Sequence, residues 1–310
     1  MNDTEPNVVT GAFSYTGKYI TRQLLSVGEG VRTLTSRIHE KPFGHRVAAF
    51  PYRFDKPDEL KRHLEGATTL YNTYWVRFPR GKVTFDTAVE NTRTLINAAG
   101  KAGVRKFVHI SITHASKDSP LPYFRGKGLV EEAILQSGLS YAIIRPTVIF
   151  GAEDILINNI AWLLRRFPVF AVIGSGEYRI RPVFVEDVAG IAVGAAHEKE
   201  DTIVDAVGPE TFTFNELVKL IIDAIHSRAR IIHVGPRLAF TLASVVGWAV
   251  NDVVITRDEI EGLMSDLLVS DAPPSGKTRF TEWLEENADT IGKVYASELK
   301  RHYRSRSQRR

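Results

Sequence analysis

Tyr123 and Lys127 stand four residues apart in Pro122-Tyr123-Phe124-Arg125-Gly126-Lys127. On a helix both side chains project from one face. A phenol has an unperturbed pKa of about 10 and is a poor base at neutral pH, but an ammonium beside it favours the phenolate. Such a pair can give or take the proton of a hydroxyl while a hydride moves at the adjoining carbon. The competing reading is two polar residues on an exposed turn, because this spacing is common by chance.

A second pattern weighs against chance. Gly11-Ala12-Phe13-Ser14-Tyr15-Thr16-Gly17 follows the apolar Val8 and Val9 and leads into a stretch in which Ile20, Leu24 and Leu25 share one helical face. Strand, tight turn and helix aim unpaired N–H groups and the positive end of the helix dipole at a phosphate, and glycine lets backbone and ligand approach closely. The implied ligand is a dinucleotide held over Gly11, Ser14, Tyr15, Thr16 and Gly17. Ser14 stands where the middle glycine of Gly-x-x-Gly-x-x-Gly is usual.

The elements that must position these residues alternate along the chain. A second strand at 31–35 ends at Ser36-Arg37, where an acidic residue would bind the 2′-hydroxyl of NAD and an arginine suits the 2′-phosphate of NADP. NADP is expected and NAD is the alternative; a solvated arginine at a strand end is the bland reading. A third strand from Val47 runs towards Phe54-Asp55, and Asp55 either touches the adenine amino group or favours the following helix N-terminus. Strand four at 68–73 carries Asn72 and enters Tyr74-Trp75-Val76-Arg77-Phe78, aromatics that line a pocket or fill the core. A helix at 86–99 closes at Gly103, strand five covers 106–111, and Pro120 and Pro122 preset the helix of Tyr123 and Lys127. A sixth strand at 141–144 enters Arg145-Pro146-Thr147-Val148-Ile149-Phe150-Gly151. Strands alternating with amphipathic helices predict an α/β fold with a doubly wound parallel sheet.

Composition sets outer bounds. The 310 residues are 44% hydrophobic and 25% charged, which excludes disordered and fibrous classes. There is no cysteine, so a disulfide framework and cysteine-ligated metal are excluded, and the nine histidines lack ligand-like pairing, so no metal is expected. The first strand begins within eight residues of Met1, which leads to the expectation of no cleavable leader and a cytoplasmic protein. The apolar tract 238–250 falls short of the roughly 20 residues that span a bilayer. It reads as a buried helix, with an interfacial helix as the alternative; peripheral membrane contact and self-association both stay open. The net charge of +4 gathers partly in residues 301–310, expected to be a solvated tail and not a nucleic-acid site. Thr213 with Glu216 and Thr256 with Glu259 form capping boxes that open two later helices.

These pieces together resemble the short-chain dehydrogenase/reductase superfamily in its extended, epimerase-like and atypical branches. The resemblance is carried by residues 10–17, Asn91, 103–111, 123–127, 145–151 and 181–189. Within it the chain looks most like the NmrA-like proteins and the family of the 39-kDa accessory subunit of respiratory complex I, because Phe150-Gly151-Ala152-Glu153-Asp154 is followed by Asn158-Asn159 and an apolar helix. The likeness spans about residues 7–215.

The resemblance implies a seven-strand Rossmann-type sheet in residues 1–150, completed by about 181–207, with 151–180 and 208–310 forming a smaller substrate-side part that closes over the nicotinamide. It implies Tyr123 as acid/base, Lys127 as the ribose ligand that lowers the phenol pKa, and Pro146 and Val148 as further cofactor contacts. The serine that helps hold the substrate oxygen should follow Ser111, where this chain has Ile112, so Ser111 or Thr113 would have to substitute. The expected activity is NADP-dependent oxidation or reduction of a hydroxyl or carbonyl on an unidentified small molecule. The alternative is a non-catalytic NADP(H)-binding redox sensor or assembly factor, since such branches include both.

Overall fold

The computed structural model describes residues 5–302. β1 (Asn7–Thr10), α1 (Tyr15–Ser26), β2 (Val31–Thr35), β3 (Val47–Pro51), α2 (Pro57–Leu64), β4 (Thr69–Asn72), α3 (Phe85–Ala102), β5 (Lys106–Ile110), α4 (Pro122–Leu135) and β6 (Ser140–Pro146) form a continuous alternating series. Local chemistry sets the boundaries. Thr84 caps α3 by accepting from the Thr87 amide, and Gly103 ends it in the left-handed region at φ 74°. Pro57 and Pro122 sit in the first turns of α2 and α4, where no amide is needed.

The next segment holds β7 (Val148–Phe150), α5 (Leu156–Arg166), β8 (Val169–Ile173), β9 (Arg179–Ile180) and β10 (Pro182–Phe184). α6 (Val185–His197) and β11 (Thr202–Ala206) then rejoin the first series. β12 (Phe212–Thr213), α7 (Phe214–Ala224), β13 (Arg230–Val234), α8 (Pro236–Val250), α9 (Arg257–Met264), α10 (Phe280–Asn287) and α11 (Glu298–His302) complete the order.

Two compact units result. The first takes the described part of Met1–Pro146 with Val185–Ala206. Its sheet has seven parallel strands in the order β11-β6-β5-β4-β1-β2-β3. Strand order reverses direction between β1 and β4, and the crevice at the carboxyl ends there is where this architecture binds ligands. Val8, Leu34, Leu70, Phe107 and Ile143 on the strands pack with Leu60, Leu64, Leu95, Val130 and Ile134 on the helices. Burying each such side chain contributes roughly 1.5–3 kcal/mol, enough to hold the strand ends that carry the site in fixed register.

The second unit comprises Thr147–Phe184 and the described part of Val207–Arg310. The expected first-domain boundary at residue 150 therefore moves to Pro146, and the returning segment is 185–206 instead of about 181–207. The physical reason is pairing: β7 bonds to β10 in its own two-stranded sheet, and Phe150 packs edge-on against Phe280 and Trp283. Two further small sheets pair β9 with β12 and β8 with β13. Both capping boxes are present, Thr213 with Glu216 opening α7 and Thr256 with Glu259 opening α9. Asp154 accepts from the Ile157 amide at 2.7 Å and from Asn158 Nδ2 at 3.1 Å, and Asn159 clasps Ala296 through both its N–H and C=O. The Asp154 and Asn158-Asn159 motif is thus structural. Of the expected basic tail, Arg301 and His302 lie in α11, and 303–310 fall outside the described residues.

Candidate functional site

The glycine turn joins β1 to α1 in the first unit. Gly11 has φ +68°, donates its amide to the Leu34 carbonyl at 2.8 Å, and accepts from the Ser14 amide at 2.7 Å. A Cβ at position 17 would fall 2.3 Å from the Gly11 carbonyl oxygen, so only glycine lets α1 start this close to β1. Ser14 is the N-cap of α1, yet its side chain makes no capping bond, and no acidic residue occupies the first turn. An anion fits this helix end better than any side chain the protein places there. Arg37, just past β2, reaches back over the turn: its guanidinium donates to the Phe13 carbonyl at 3.4 Å and lies 3.7 Å from the Glu40 carboxylate. Tyr15 packs edge-on against Tyr19. Gly11, Ser14, Tyr15, Thr16, Gly17 and Arg37 are thus gathered at one place.

Several threonines that no motif marks hold this turn. Thr33 donates to the Val9 carbonyl at 2.7 Å and accepts from the Ala12 amide at 3.1 Å. Thr73 donates to the Thr10 carbonyl, and Thr10 Oγ1 accepts from the amides of Thr73 and Tyr74 at 2.8 and 3.1 Å. Asn72 belongs to the same brace. It is fully buried, its Oδ1 takes bonds from Thr10 Oγ1 and the Tyr74 amide, and its Nδ2 meets His109 Nδ1 at 3.0 Å. Asn72 positions the turn through these bonds. Burial, and then the nearby Lys127 charge, hold His109 well below the usual histidine pKa, so the ring is neutral. Asp55 is exposed and paired with Arg53 at 3.8 Å, which leaves the expected adenine contact without support. Beside it Tyr52, Phe54 and Tyr74 form an aromatic trio with centroids 5.0–5.4 Å apart.

Tyr123 and Lys127 share the first turns of α4. Lys127 is buried, only 3% exposed, and its Nζ donates to the Ile110 carbonyl at 2.7 Å. Burial lowers its pKa to about 7, against a smaller raising effect from Glu131. The ammonium lies 4.6 Å from the ring centroid of Trp75, and Tyr123 meets the same indole edge-on at 6.0 Å. Phe85 completes the aromatic floor, 5.8 Å from Tyr123. Gly126 makes this possible, since a Cβ there would sit 2.9 Å from Trp75 Cη2. Trp75 and Gly126 carry no sequence signal beyond being an aromatic at a strand end and a small residue between Tyr123 and Lys127.

The expected substitutes for the missing serine are placed differently. Ser111 is buried and donates to Glu131 Oε1; Glu131, also buried, is gripped by Arg145 through Nε at 3.0 Å and Nη2 at 2.5 Å. Ser111 is thereby a member of this buried ion-pair network. Thr113 is buried, and its amide donates to the Pro146 carbonyl at 3.1 Å. Val148 lies in the second unit, paired with Pro182, whereas Pro146 ends β6 of the first.

A family profile described as NAD(P)H-binding matches residues 11–154. Subunit 9 of the mitochondrial NADH dehydrogenase [ubiquinone] 1 alpha subcomplex of Arabidopsis thaliana is 27% identical over 283 residues, which cover 85% of this chain and 70% of that one. The mitochondrial NADH-ubiquinone oxidoreductase 40 kDa subunit of Neurospora crassa is 25% identical, covering 93% and 77% of the two chains. Among solved structures, the triphenylmethane reductase of Citrobacter sp. complexed with NADP(H) superposes with a TM-score of 0.72 at 16% identity, over 91% of this chain and 99% of that one, a likeness of fold. With the glycine turn and the seven-stranded parallel sheet in place, the chain carries an NAD(P)H-binding domain over residues 11–154 and is similar to these NADH dehydrogenase subunits over most of its length.

Proposed function

We propose that this protein binds NADP(H) at the glycine turn and acts as an oxidoreductase on a carbonyl or hydroxyl of a small organic substrate. The observation that carries the reading is the placing of Tyr123 and Lys127 against one indole, which puts a phenol and a near-neutral lysine on the same side of α4. The amides at the start of α1 would hold the pyrophosphate, Arg37 the 2′-phosphate and Lys127 Nζ the nicotinamide ribose. NADPH, when bound, supplies the hydride. Tyr123 would give its proton to the substrate oxygen as negative charge develops there, and take one back in the reverse direction. Lys127, with a pKa of about 7, stabilises the phenolate left behind while charged. Arg37 beside the turn supports NADP over NAD as the preferred cofactor.

A specific observation favours a second reading, in which the dinucleotide is sensed or used structurally without turnover. Ser111, the nearest hydroxyl to the usual serine position, is committed to Glu131, so no serine there is offered to a substrate oxygen. Two relatives are named as subunits of a larger enzyme. NADPH oxidation across a panel of aldehydes, ketones and quinones, run with wild type and Tyr123→Phe, separates the readings. Turnover that Tyr123→Phe loses while keeping NADPH binding supports the enzyme. Turnover that survives the substitution refutes the role of Tyr123, and silence across the panel with tight NADPH binding favours the second reading.

A further inference from the structure

We infer that His109 is a positioning residue for Lys127: Asn72 fixes its ring in the tautomer that turns an N–H, and no lone pair, towards the lysine, so that the neutral amine is the form the ring can hydrogen-bond. The two residues meet for reasons of register. β5 and β6 are parallel, so α4 between them runs back along β5 in the opposite direction. Side chains two apart on a strand share a face, so His109 faces the same way as Phe107, which packs in one cluster with Val130 and Ile134 of α4. Lys127, Val130 and Ile134 are three and four apart, on one side of that helix. Two residues on from Phe107 along β5 is about 6.6 Å, and three residues back from Val130 along α4 is about 4.5 Å in the same direction. His109 and Lys127 thus form the next layer beyond Phe107 and Val130. The lysine marks its level by donating to the carbonyl of Ile110, the neighbour of His109. Both are closed off from solvent, His109 at 0% and Lys127 at 3% exposure.

The tautomer follows from the partners. Asn72 Oδ1 accepts from Thr10 Oγ1 at 3.1 Å and from the Tyr74 amide at 3.2 Å, which leaves Nδ2 to donate to His109 Nδ1 at 3.0 Å. Nδ1 is then the bare nitrogen and the ring proton sits on Nε2. That N–H is buried and has no acceptor among the described residues. A leucine would fill the space without stranding a donor. The lysine charge adds to burial in keeping the imidazole neutral. In return, the His109 N–H opposes the ammonium and suits the lone pair of the amine, directly or across one water. The other groups about the lysine are the Trp75 ring and, on α4 itself, Tyr123 and Glu131. Glu131 favours the ammonium, but its carboxylate is drawn off by Arg145 and Ser111. Lys127 can therefore release a proton beside Tyr123 as well as hold one.

The test is NMR of the full chain. In the wild type, labelled His109 should show a bare Nδ1 and a protonated Nε2, unchanged from about pH 8 down to about pH 6. The titration of Lys127, followed at its labelled Nζ, should move up by at least about half a pH unit in His109→Phe, which keeps a ring and the burial but has no N–H to offer. His109→Gln, whose amide keeps an acceptor for Asn72 and a donor for the lysine, should titrate like the wild type. A protonated Nδ1, an imidazolium at neutral pH, or an unmoved Lys127 titration in folded His109→Phe would overturn the proposal; where that variant does not fold, the wild-type tautomer decides. His109 acts through the role proposed above for Lys127, yet neither measurement reads turnover. A wild type inactive across the substrate panel but with Nε2 protonated and the shift in place counts against the oxidoreductase reading and for His109, and an active one with Nδ1 protonated does the opposite.

Discussion

The Lys127 ammonium rests 4.6 Å from the centroid of the Trp75 ring and donates a short hydrogen bond to the Ile110 carbonyl, 2.7 Å away. The indole both attracts the cation and keeps water from it, and these effects oppose each other in the pKa. Since the pKa falls to about 7, desolvation wins. Trp75→Ala should admit water and raise the Lys127 pKa towards its ordinary value, measured by NMR titration of the labelled lysine. Loss of the half-buried ring should cost roughly 1–3 kcal/mol of stability. A lysine that still titrates near 7 in the variant would place the desolvation elsewhere.

The same lysine makes stability depend on pH in a stated direction. Its folded pKa, about 7, lies below the ordinary value of 10.5, so between these limits the unfolded chain holds a proton that the folded protein does not. Stability should therefore rise with pH from about 7 towards 10, by at most about 1.4 kcal/mol per unit. Lys127→Met removes that contribution. Denaturation midpoints of wild type and Lys127→Met, followed over this range, should diverge steadily; parallel curves would show that Lys127 stays protonated.

Arg37 reaches the Phe13 carbonyl across the turn, which sets it where a 2′-phosphate would lie in the proposed NADP(H) site. A charge-assisted bond contributes about 1.5–3 kcal/mol. Arg37→Ala should then weaken NADPH binding about 10- to 100-fold and leave NADH binding nearly unchanged, as read by cofactor titration. Equal losses for the two cofactors would remove Arg37 as the basis of the preference.

Ser111 and Tyr123 should separate in their effects. Ser111→Ala removes one donor from Glu131, which keeps Arg145, so about 1–2 kcal/mol of stability is lost and turnover, where present, persists. Glu131→Leu leaves Arg145 without its carboxylate and should cost about 3–5 kcal/mol. Turnover abolished by Ser111→Ala in a stable protein would restore Ser111 to the substrate.

What the sequence made legible follows from physical range. The glycine turn, the alternating strands and the helix of Tyr123 and Lys127 are local: Gly11 needs positive φ, Gly17 needs a bare Cα, and an i,i+4 pair lies on one face wherever the helix goes. The Asn72 and His109 pair was not legible, because it exists only through the β4–β5 register that sets these residues side by side. The bond of Ser111 to Glu131 is illegible for the same reason, its partner being 20 residues away on α4. That the first unit ends at Pro146 is not legible either, because Val148–Phe150 have ordinary strand character and only their pairing with Pro182–Phe184 assigns them to the second unit.

Asp154 shows the opposite pH behaviour to Lys127. Burial raises its pKa from 3.8 to about 7, although the Ile157 and Gly151 amides, the charge of Arg301 and the Asn158 side chain all favour the carboxylate. The folded protein therefore holds a proton between these limits that the unfolded chain releases. This contribution is fully present below about pH 4 and is lost as pH rises through 7, by at most about 1.4 kcal/mol per unit. Because Asp154 closes the first turn of α5, the effect should appear locally, as hydrogen-exchange protection of the Ile157 amide that declines between about pH 5 and 7 after correction for intrinsic exchange. Asp154→Asn keeps a similar shape and an acceptor for that amide but cannot titrate, so its protection should be flat over the same range. A wild-type profile as flat as that of Asp154→Asn would mean that Asp154 is ionised throughout and that its surrounding donors, not burial, decide its charge.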